Sequence, residues 1–122
     1  MEKMCGSARL SRILLVEDDA DVRLMLEHVL LHEGYEVDTA ETVNGGKERL
    51  RSGSYDLALL DGKLPDGHGS EVADAASAKG IKVLIVTGYA FTFPAHARER
   101  HEVLLKPLRP AELVSAIERS LS

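Results

Sequence analysis

Four apolar runs of this sequence are each followed at once by polar residues. These residues are of types that can bind a metal or take part in group transfer. They are the acidic run Glu17-Asp18-Asp19, the carboxylate of Asp61, the hydroxyl of Thr87 and the amine of Lys106. Short apolar runs bounded by turn residues are typical of strands buried in a parallel sheet. The carboxyl ends of parallel strands meet at one edge of the sheet. We therefore expect these polar groups to converge, although the sequence scatters them.

Three of the converging groups are the carboxylates of Glu17, Asp18 and Asp61, which a single lysine cannot neutralise. Two carboxylates about 4 Å apart repel by on the order of 4 kcal/mol at an effective dielectric of about 20. Either one carboxyl group keeps a proton, with a raised pKa, or a divalent cation lies among them. We favour the cation, and Mg²⁺ in particular, because this hard ion binds one or two carboxylates together with waters and a phosphate.

With such an ion in place, Asp61 would be able to attack phosphorus and form an aspartyl phosphate. The ion and Lys106 would offset charge on the phosphoryl oxygens, and the Thr87 hydroxyl would donate a hydrogen bond to one of them. Each residue also has an ordinary structural explanation, such as a turn aspartate, a strand-end hydroxyl, a solvated lysine or acids that begin a helix. All of these explanations would have to hold together at four strand ends, so we favour the chemical interpretation.

The elements that must position these residues alternate between strand and helix. Apolar runs predict strands at residues 12–16, 57–60, 81–86 and 103–105, and the alternating residues 36–39 predict an edge strand. Helices are predicted at residues 20–33, 43–51 and 70–78, and at the carboxyl end, where Leu113, Ile117 and Leu121 lie four apart. Residues 91–102 are the hardest to assign because Pro94 interrupts any helix longer than two turns.

The first helix has an apolar face formed by Val22, Met25, Leu26 and Val29. Asp19 is its predicted N-cap and Gly34 its predicted C-cap. These assignments place the acidic run immediately before the helix, at the end of the first strand.

The alternation of strand and helix predicts an α/β fold with helices on both faces of a parallel sheet. We expect a flavodoxin-like, doubly wound sheet of five strands in the order 2-1-3-4-5, with the most continuous apolar strands at its centre. The fourth helix is predicted to be short or irregular, because Pro94 lies within it.

The totals fit one globular domain. The chain has 122 residues, of which 44% are hydrophobic and 29% charged. We expect a flexible leader at residues 1–11 and a single domain at residues 12–122. The net charge of -5 argues against nonspecific nucleic-acid binding, and no apolar run is long enough to span a bilayer. The single cysteine, Cys5, favours a reducing, cytoplasmic setting over a disulfide framework.

Four motifs in order resemble one family. They are Leu15-Val16-Glu17-Asp18-Asp19, Leu60-Asp61-Gly62-Lys63-Leu64-Pro65-Asp66-Gly67, Val86-Thr87-Gly88 and Leu105-Lys106-Pro107. By these motifs the chain closely resembles the receiver domain of two-component response regulators, from residue 13 to about residue 121.

The resemblance implies a phosphoacceptor and a metal site. Asp61 would be the phosphoacceptor, with Thr87 and Lys106 as the family's hydroxyl and lysine. Asp18 would bind the metal directly and Glu17 largely through water. Besides Asp61, the backbone carbonyl of Lys63 would complete the set of protein ligands. The ion would be Mg²⁺, with Mn²⁺ as the alternative, and the Lys106-Pro107 peptide would be cis, as it is in the family.

The chain departs from the family in the region that switches on phosphorylation. The family usually has an aromatic residue three positions before the lysine, where this chain has Val103. Thr87-Gly88-Tyr89 is similar to a Thr-Gly-Tyr variant of some receivers. We hypothesise that Tyr89 supplies the aromatic side chain that Val103 lacks, with Thr87 as its partner in the switch.

The implied function is transfer of a phosphoryl group from a histidine kinase or a histidine phosphotransfer protein onto Asp61. Such a chain catalyses only its own phosphorylation and dephosphorylation. The added charge would shift an existing two-state equilibrium and change contacts with a downstream protein target, without direct nucleic-acid or membrane binding. Two alternatives stay open: a non-phosphorylated pseudo-receiver that only binds partners, and an enzyme, either a Mg²⁺-dependent phosphohydrolase or a toprim-like nucleic-acid enzyme.

Three further features are weaker signals. His28 and His32 have a spacing that can hold zinc, but no third ligand completes the set. Asp66-Gly67 is a hairpin signal, yet no strand-like run follows it, so we predict a loop. His68 lies near the acceptor and is predicted to be a solvated loop residue.

Overall fold

The computed structural model describes residues 11–88 and 101–121 of the chain. Its elements are, in order, β1 (Arg12–Val16), α1 (Ala20–His32), β2 (Glu36–Ala40), α2 (Val43–Ser52), β3 (Leu57–Asp61), β4 (Lys63–Leu64), β5 (Gly67–His68), α3 (Gly69–Ala78), β6 (Lys82–Thr87), β7 (Glu102–Leu105) and α4 (Pro110–Leu121). Apart from Ser11, the predicted leader lies outside the described residues, as do Tyr89 and Pro94 of the predicted irregular helix. No helix within the described ranges is long and apolar enough to cross a membrane.

Five strands form one parallel sheet in the order β2-β1-β3-β6-β7. Counted along the chain, these five strands have the order 2-1-3-4-5, so the predicted topology is confirmed. The register pairs Val16 with Leu60, and Asp61 with Val86. It thereby brings the carboxyl ends of β1, β3 and β6 to the same edge of the sheet.

Alternate residues of the central strands face two separate helix layers, as predicted. One core cluster joins α2 and α3 to Leu14, Val16, Ala58 and Leu60. The other joins α1 and α4 to Ile13, Leu15, Leu57 and Leu59. Full burial of one such leucine contributes about 2 kcal/mol, so charged side chains are strongly disfavoured along these strands. Polar groups are therefore confined to the strand ends.

Helix α1 buries its predicted apolar face only in part, because Val22, Leu26 and Val29 are half-buried and Met25 is exposed. Its buried residue is Leu30, whereas Met25 is 49% exposed. Leu26, one turn before Leu30, is partly buried against the same core cluster. The prediction was wrong about Met25 because apolar residues occur on several sides of this helix, so periodicity alone does not select one face.

The two ends of α1 lie close to their predicted positions. The Asp19 carboxylate accepts hydrogen bonds from the N–H groups of Asp21 at 2.9 Å and Val22 at 3.1 Å, which confirms it as the N-cap. The C-cap is Glu33 rather than Gly34. Gly34 follows with a φ of 94°, a left-handed conformation that glycine adopts readily, so the helix ends one residue earlier than predicted.

The segment after β3 is a two-stranded hairpin rather than the predicted loop. Strands β4 and β5 pair antiparallel, with Lys63 opposite His68 and Leu64 opposite Gly67. The two residues that connect them are Pro65 and Asp66. Strands of two residues are too short to show an alternating pattern. The Asp66-Gly67 turn signal was therefore correct, but the strands beside it could not be recognised from the sequence.

Candidate functional site

Polar residues from three of the four predicted strand ends line one cavity at the carboxyl edge of the sheet. Its lining includes the predicted site residues Glu17, Asp18, Asp61, Lys63 and Lys106. The first three come from the ends of β1 and β3, Lys63 from the hairpin after β3, and Lys106 from the position directly after β7. The parallel topology thus brings together residues that are up to 89 positions apart, counted from Glu17 to Lys106.

Three carboxylates form the acidic part of this cavity. Ligand oxygens of Glu17, Asp18 and Asp61 lie within 4.8 Å of one another, and this is the one such cluster found among the described residues. Glu17 is 3% exposed and Asp61 9% exposed, while Asp18 is exposed. His28 and His32 belong to no comparable group in residues 11–88 and 101–121, so the structure gives the zinc hypothesis no support.

Lys106 supplies the positive charge. Its Nζ atom lies 3.4 Å from Oδ1 of Asp61 and 3.6 Å from Oε1 of Glu17. The peptide between Lys106 and Pro107 is cis, as the resemblance implied. One ammonium group therefore faces two buried carboxylates, with the third acid of the cluster nearby.

Glu17 is a buried acid with a clearly perturbed pKa. Burial and then the neighbouring charge of Asp61 raise the pKa of the Glu17 carboxyl to about 7. The N–H of Asp19 and the ammonium of Lys106 act on this pKa in the opposite direction. The single positive charge of Lys106 is therefore too little to neutralise the three carboxylates of the cluster. Its oxygen donors fit a hard divalent cation such as Mg²⁺ better than a softer metal.

The backbone around Glu17 is held by contacts that the sequence did not indicate. Its N–H donates to the carbonyl of Ala40 at 3.0 Å, which continues the β1–β2 ladder past the end of β1. Its carbonyl accepts from the guanidinium of Arg23 at 2.9 Å, and Arg23 also lies 3.6 Å from Glu41. Arg23 thus fixes the peptide that leads into Asp18, although in the sequence it is an ordinary helix residue.

Gly69 is a second residue that sequence analysis missed. It begins α3, and its N–H donates to the carbonyl of Gly62 at 3.0 Å. A Cβ atom at this position would lie 2.1 Å from the backbone carbonyl oxygen of Asp61. Only glycine allows α3 to begin this close to the acceptor strand. The glycine between His68 and Ser70 was the available signal, but its partner could not be identified from sequence.

The predicted switch residues occupy different positions relative to the cavity. Thr87 is fully buried and is not among the cavity's lining residues, whereas Gly88, which follows it, lines the cavity. The carbonyl of Thr87 accepts a hydrogen bond from the N–H of Lys106 at 3.0 Å. Val103 is half-buried, pairs with Ile85 in the sheet register and packs against the core next to α2 and α3. Tyr89 lies outside the described residues.

Comparison with known proteins identifies the family. The response regulator receiver domain family matches residues 13–118 of the chain. The chain is 33% identical over 117 residues to the response regulator receiver protein CpdR of Brucella abortus, a match that covers 92% of this chain and 98% of CpdR. It is 30% identical over 116 residues to the response regulator ArlR of Staphylococcus saprophyticus, covering 92% of this chain and 53% of ArlR.

Solved structures give the same result. TrrA of Thermotoga maritima, crystallised in complex with Mg(2+)-BeF, matches with a TM-score of 0.83 and 32% identity over 92% of this chain and 100% of TrrA. TrrA in complex with the histidine kinase ThkA matches with a TM-score of 0.81 and 33% identity over 93% of this chain and 100% of TrrA. Since the family match extends from β1 into α4 and the sheet order agrees, the chain belongs to the response regulator receiver domain family.

Proposed function

We propose that this receiver domain accepts a phosphoryl group on Asp61 from a phosphohistidine donor. The observation that carries the proposal is the cluster of Asp61 with Glu17, Asp18 and Lys106 at the carboxyl edge of the sheet. Asp61 contacts both the acidic and the basic part of this cluster. Its carboxylate lies within 4.8 Å of ligand oxygens of Glu17 and Asp18, and its Oδ1 atom lies 3.4 Å from Nζ of Lys106.

In the proposed step, a carboxylate oxygen of Asp61 attacks the phosphorus of the donor. A P–O bond forms, the P–N bond of phosphohistidine breaks, and its electron pair stays with the leaving imidazole. Lys106 would offset charge on the transferred oxygens, and Gly88 would leave the cavity wall without a side chain beside the incoming group. Glu17, Asp18, Asp61 and the carbonyl of Lys63 would hold Mg²⁺, or alternatively Mn²⁺. The bound ion would supply positive charge to the phosphoryl oxygens.

An apolar groove beside the acceptor cavity is the proposed contact for the phosphoryl donor. It is lined by Val22, Met25, Leu26, Pro107 and Leu108 among others, and it shares Val22 and Lys106 with the acceptor cavity. A histidine kinase or a histidine phosphotransfer protein that lays an apolar helix face in this groove would bring its phosphohistidine next to Asp61. The related TrrA has been crystallised with the histidine kinase ThkA, which supports this class of partner.

A pair of variants tests the groove. Met25→Asp should slow phosphoryl transfer from a histidine donor protein and leave phosphorylation by acetyl phosphate unchanged. Leu24→Asp is the matched control, because Leu24 is 67% exposed on the same helix and is not among the groove's lining residues. Equal effects of the two substitutions on transfer would contradict the assignment of the groove.

The output is proposed to be a change in contacts with a downstream protein target. Phosphorylation replaces about one negative charge on Asp61 by about two, which shifts the balance between two conformations. Thr87, together with Tyr89 in place of the aromatic residue that Val103 lacks, is the proposed sensor of that charge. A cytoplasmic setting, predicted from the single cysteine, is part of this proposal.

The pseudo-receiver stays the second candidate. Val103 favours it, because a small aliphatic side chain cannot act as the family's aromatic switch.

Intact-mass measurement after incubation with Mg²⁺ and acetyl phosphate separates the phosphoacceptor from the pseudo-receiver. Wild type should gain the mass of one phosphoryl group and Asp61→Asn should not. Asp56→Asn, at the other end of β3 where Asp56 accepts from the N–H of Arg12 at 2.8 Å, should behave as wild type. A wild type that stays unmodified would favour the pseudo-receiver, and turnover of a generic phosphoester would favour a phosphohydrolase.

A further inference from the structure

We propose that Asp66 is a positioning residue for the metal site, because it ties the hairpin that follows the acceptor to the first turn of α2. This inference rests on the proposed function, since it concerns the loop that carries the predicted metal-ligating carbonyl of Lys63. Asp66 itself does not line the acceptor cavity, whereas Lys63, Leu64 and Pro65 directly before it do.

The tether consists of two hydrogen bonds to a distant part of the chain. Oδ1 of Asp66 accepts from the N–H of Val43 at 2.7 Å, and Oδ2 accepts from the N–H of Asn44 at 3.0 Å. These N–H groups belong to the first turn of α2, where helices leave amides without partners inside the helix. Both bonds need an ionised acceptor for full strength, and they lower the pKa of the Asp66 carboxyl.

The hairpin is fixed at its base by other contacts. The N–H of Gly69 donates to the carbonyl of Gly62 at 3.0 Å, and Lys63 pairs with His68 across the ladder. At the same end of the ladder, the N–H of His68 donates to the Glu71 carboxylate at 3.3 Å. These contacts hold the ends of the hairpin, and the Asp66 carboxylate holds its tip.

Packing links the same two elements beneath the tether. Leu64 is 5% exposed and Val43 is 4% exposed, and both belong to one core cluster. A shift of the hairpin tip away from α2 would therefore move Leu64 and, with it, the neighbouring carbonyl of Lys63. Removal of a group bonded directly to a metal ligand typically costs about 10- to 100-fold in metal affinity. Asp66 acts on Lys63 through the hairpin backbone, so we expect an effect at the lower end of this range, about 10-fold.

Thr42 provides the comparison that separates positioning from helix stability. Its side-chain oxygen accepts from the N–H of Gly45 at 2.9 Å, so it caps the same turn of α2 from the residue directly before the helix. If Asp66 served only as a helix cap, Asp66→Ala and Thr42→Ala would both lower the stability of α2 and would both leave Mg²⁺ affinity unchanged. Asp66 differs from Thr42 in that it lies in the hairpin.

The test compares Asp66→Ala, Asp66→Asn and Thr42→Ala in the full chain, with folding checked by circular dichroism. Mg²⁺ affinity is measured by calorimetric titration, and the initial rate of phosphorylation by acetyl phosphate is measured against Mg²⁺ concentration. Asp66→Ala should weaken Mg²⁺ binding about 10-fold and raise the Mg²⁺ concentration for half-maximal rate by the same factor. Asp66→Asn keeps one acceptor oxygen and should lie between Asp66→Ala and wild type. Thr42→Ala should bind Mg²⁺ as wild type does.

Direct measurement of Mg²⁺ binding keeps this inference distinct from the proposed function. Equal Mg²⁺ affinities for Asp66→Ala and Thr42→Ala would overturn the positioning role, whether or not the protein is phosphorylated. A wild type that binds Mg²⁺ but accepts no phosphoryl group would overturn the proposed function. The positioning role would then still stand if Asp66→Ala alone weakened Mg²⁺ binding.

Discussion

Substitution of Glu17 by glutamine should stabilise the protein at alkaline pH when divalent cations are removed. Burial and the Asp61 carboxylate raise the pKa of Glu17 from 4.5 to about 7 in the folded protein. A carboxyl group whose pKa is higher in the folded state favours folding below its unfolded pKa. That contribution is lost as the pH rises through the folded pKa. Wild type should therefore lose stability between about pH 4.5 and pH 7.

The size of this effect follows from the difference between the two pKa values. Each pKa unit corresponds to about 1.4 kcal/mol, so a rise from 4.5 to about 7 corresponds to roughly 3 kcal/mol when Glu17 is fully ionised. Solvent screening should reduce this free energy only slightly, because Glu17 is only 3% exposed. Glutamine keeps a side-chain oxygen that can accept from the N–H of Asp19, as Glu17 does at 3.2 Å, but it carries no charge.

Urea unfolding monitored by circular dichroism, in the presence of a chelator at pH 5 and at pH 8, measures this effect. Glu17→Gln should exceed wild type by up to roughly 3 kcal/mol at pH 8 and by much less at pH 5. Glu41→Gln is the matched control, because the Glu41 side chain is 67% exposed and its ion pair with Arg23 should contribute less than about 1 kcal/mol. If Glu17→Gln were less stable than wild type at pH 8, or followed the same pH profile, the electrostatic account of the cluster would be wrong.

Two further substitutions have contrasting expected results. Gly69→Ala should lower the free energy of unfolding by about 1–3 kcal/mol and slow phosphorylation by acetyl phosphate, because its methyl group would lie 2.1 Å from the Asp61 carbonyl. An Ala variant with wild-type stability and rate would show that α3 does not need this close approach. Tyr55→Phe removes a 2.7 Å hydrogen bond to Asp38 and should cost about 1 kcal/mol in urea unfolding, without changing the phosphorylation rate. A slower rate would mean that the two edges of the sheet are coupled.

The strand ends of the site were predictable because the physics that buries parallel strands is visible in the sequence. Runs such as Leu57-Ala58-Leu59-Leu60 must lie between two helix layers, and a charged residue such as Asp61 can follow only where the strand leaves the core. Parallel pairing then brings Asp61, Glu17 and Lys106 to one edge without further information.

The contacts that support the site were not predictable, because they depend on the path of loops and the rotation of helices. Arg23 looks like a surface residue of α1 until the helix is placed against the carbonyl of Glu17. The tether from Asp66 to α2 spans more than twenty positions and leaves no periodic pattern, since every residue except proline has the backbone N–H group that it binds. Met25 was misplaced for the same reason, because several faces of α1 are apolar and only the sheet selects one.

Location of the phosphoryl group on the chain tests the central claim most directly. After phosphorylation with Mg²⁺ and acetyl phosphate, borohydride reduction and tryptic digestion, the peptide of residues 52–63 carries both Asp56 and Asp61. Fragment-ion mass spectrometry of this peptide should place the modification on Asp61 alone, and omission of Mg²⁺ should remove it. Modification of Asp56 or of any other residue, or labelling of Asp61 that is equally strong without Mg²⁺, would contradict the account.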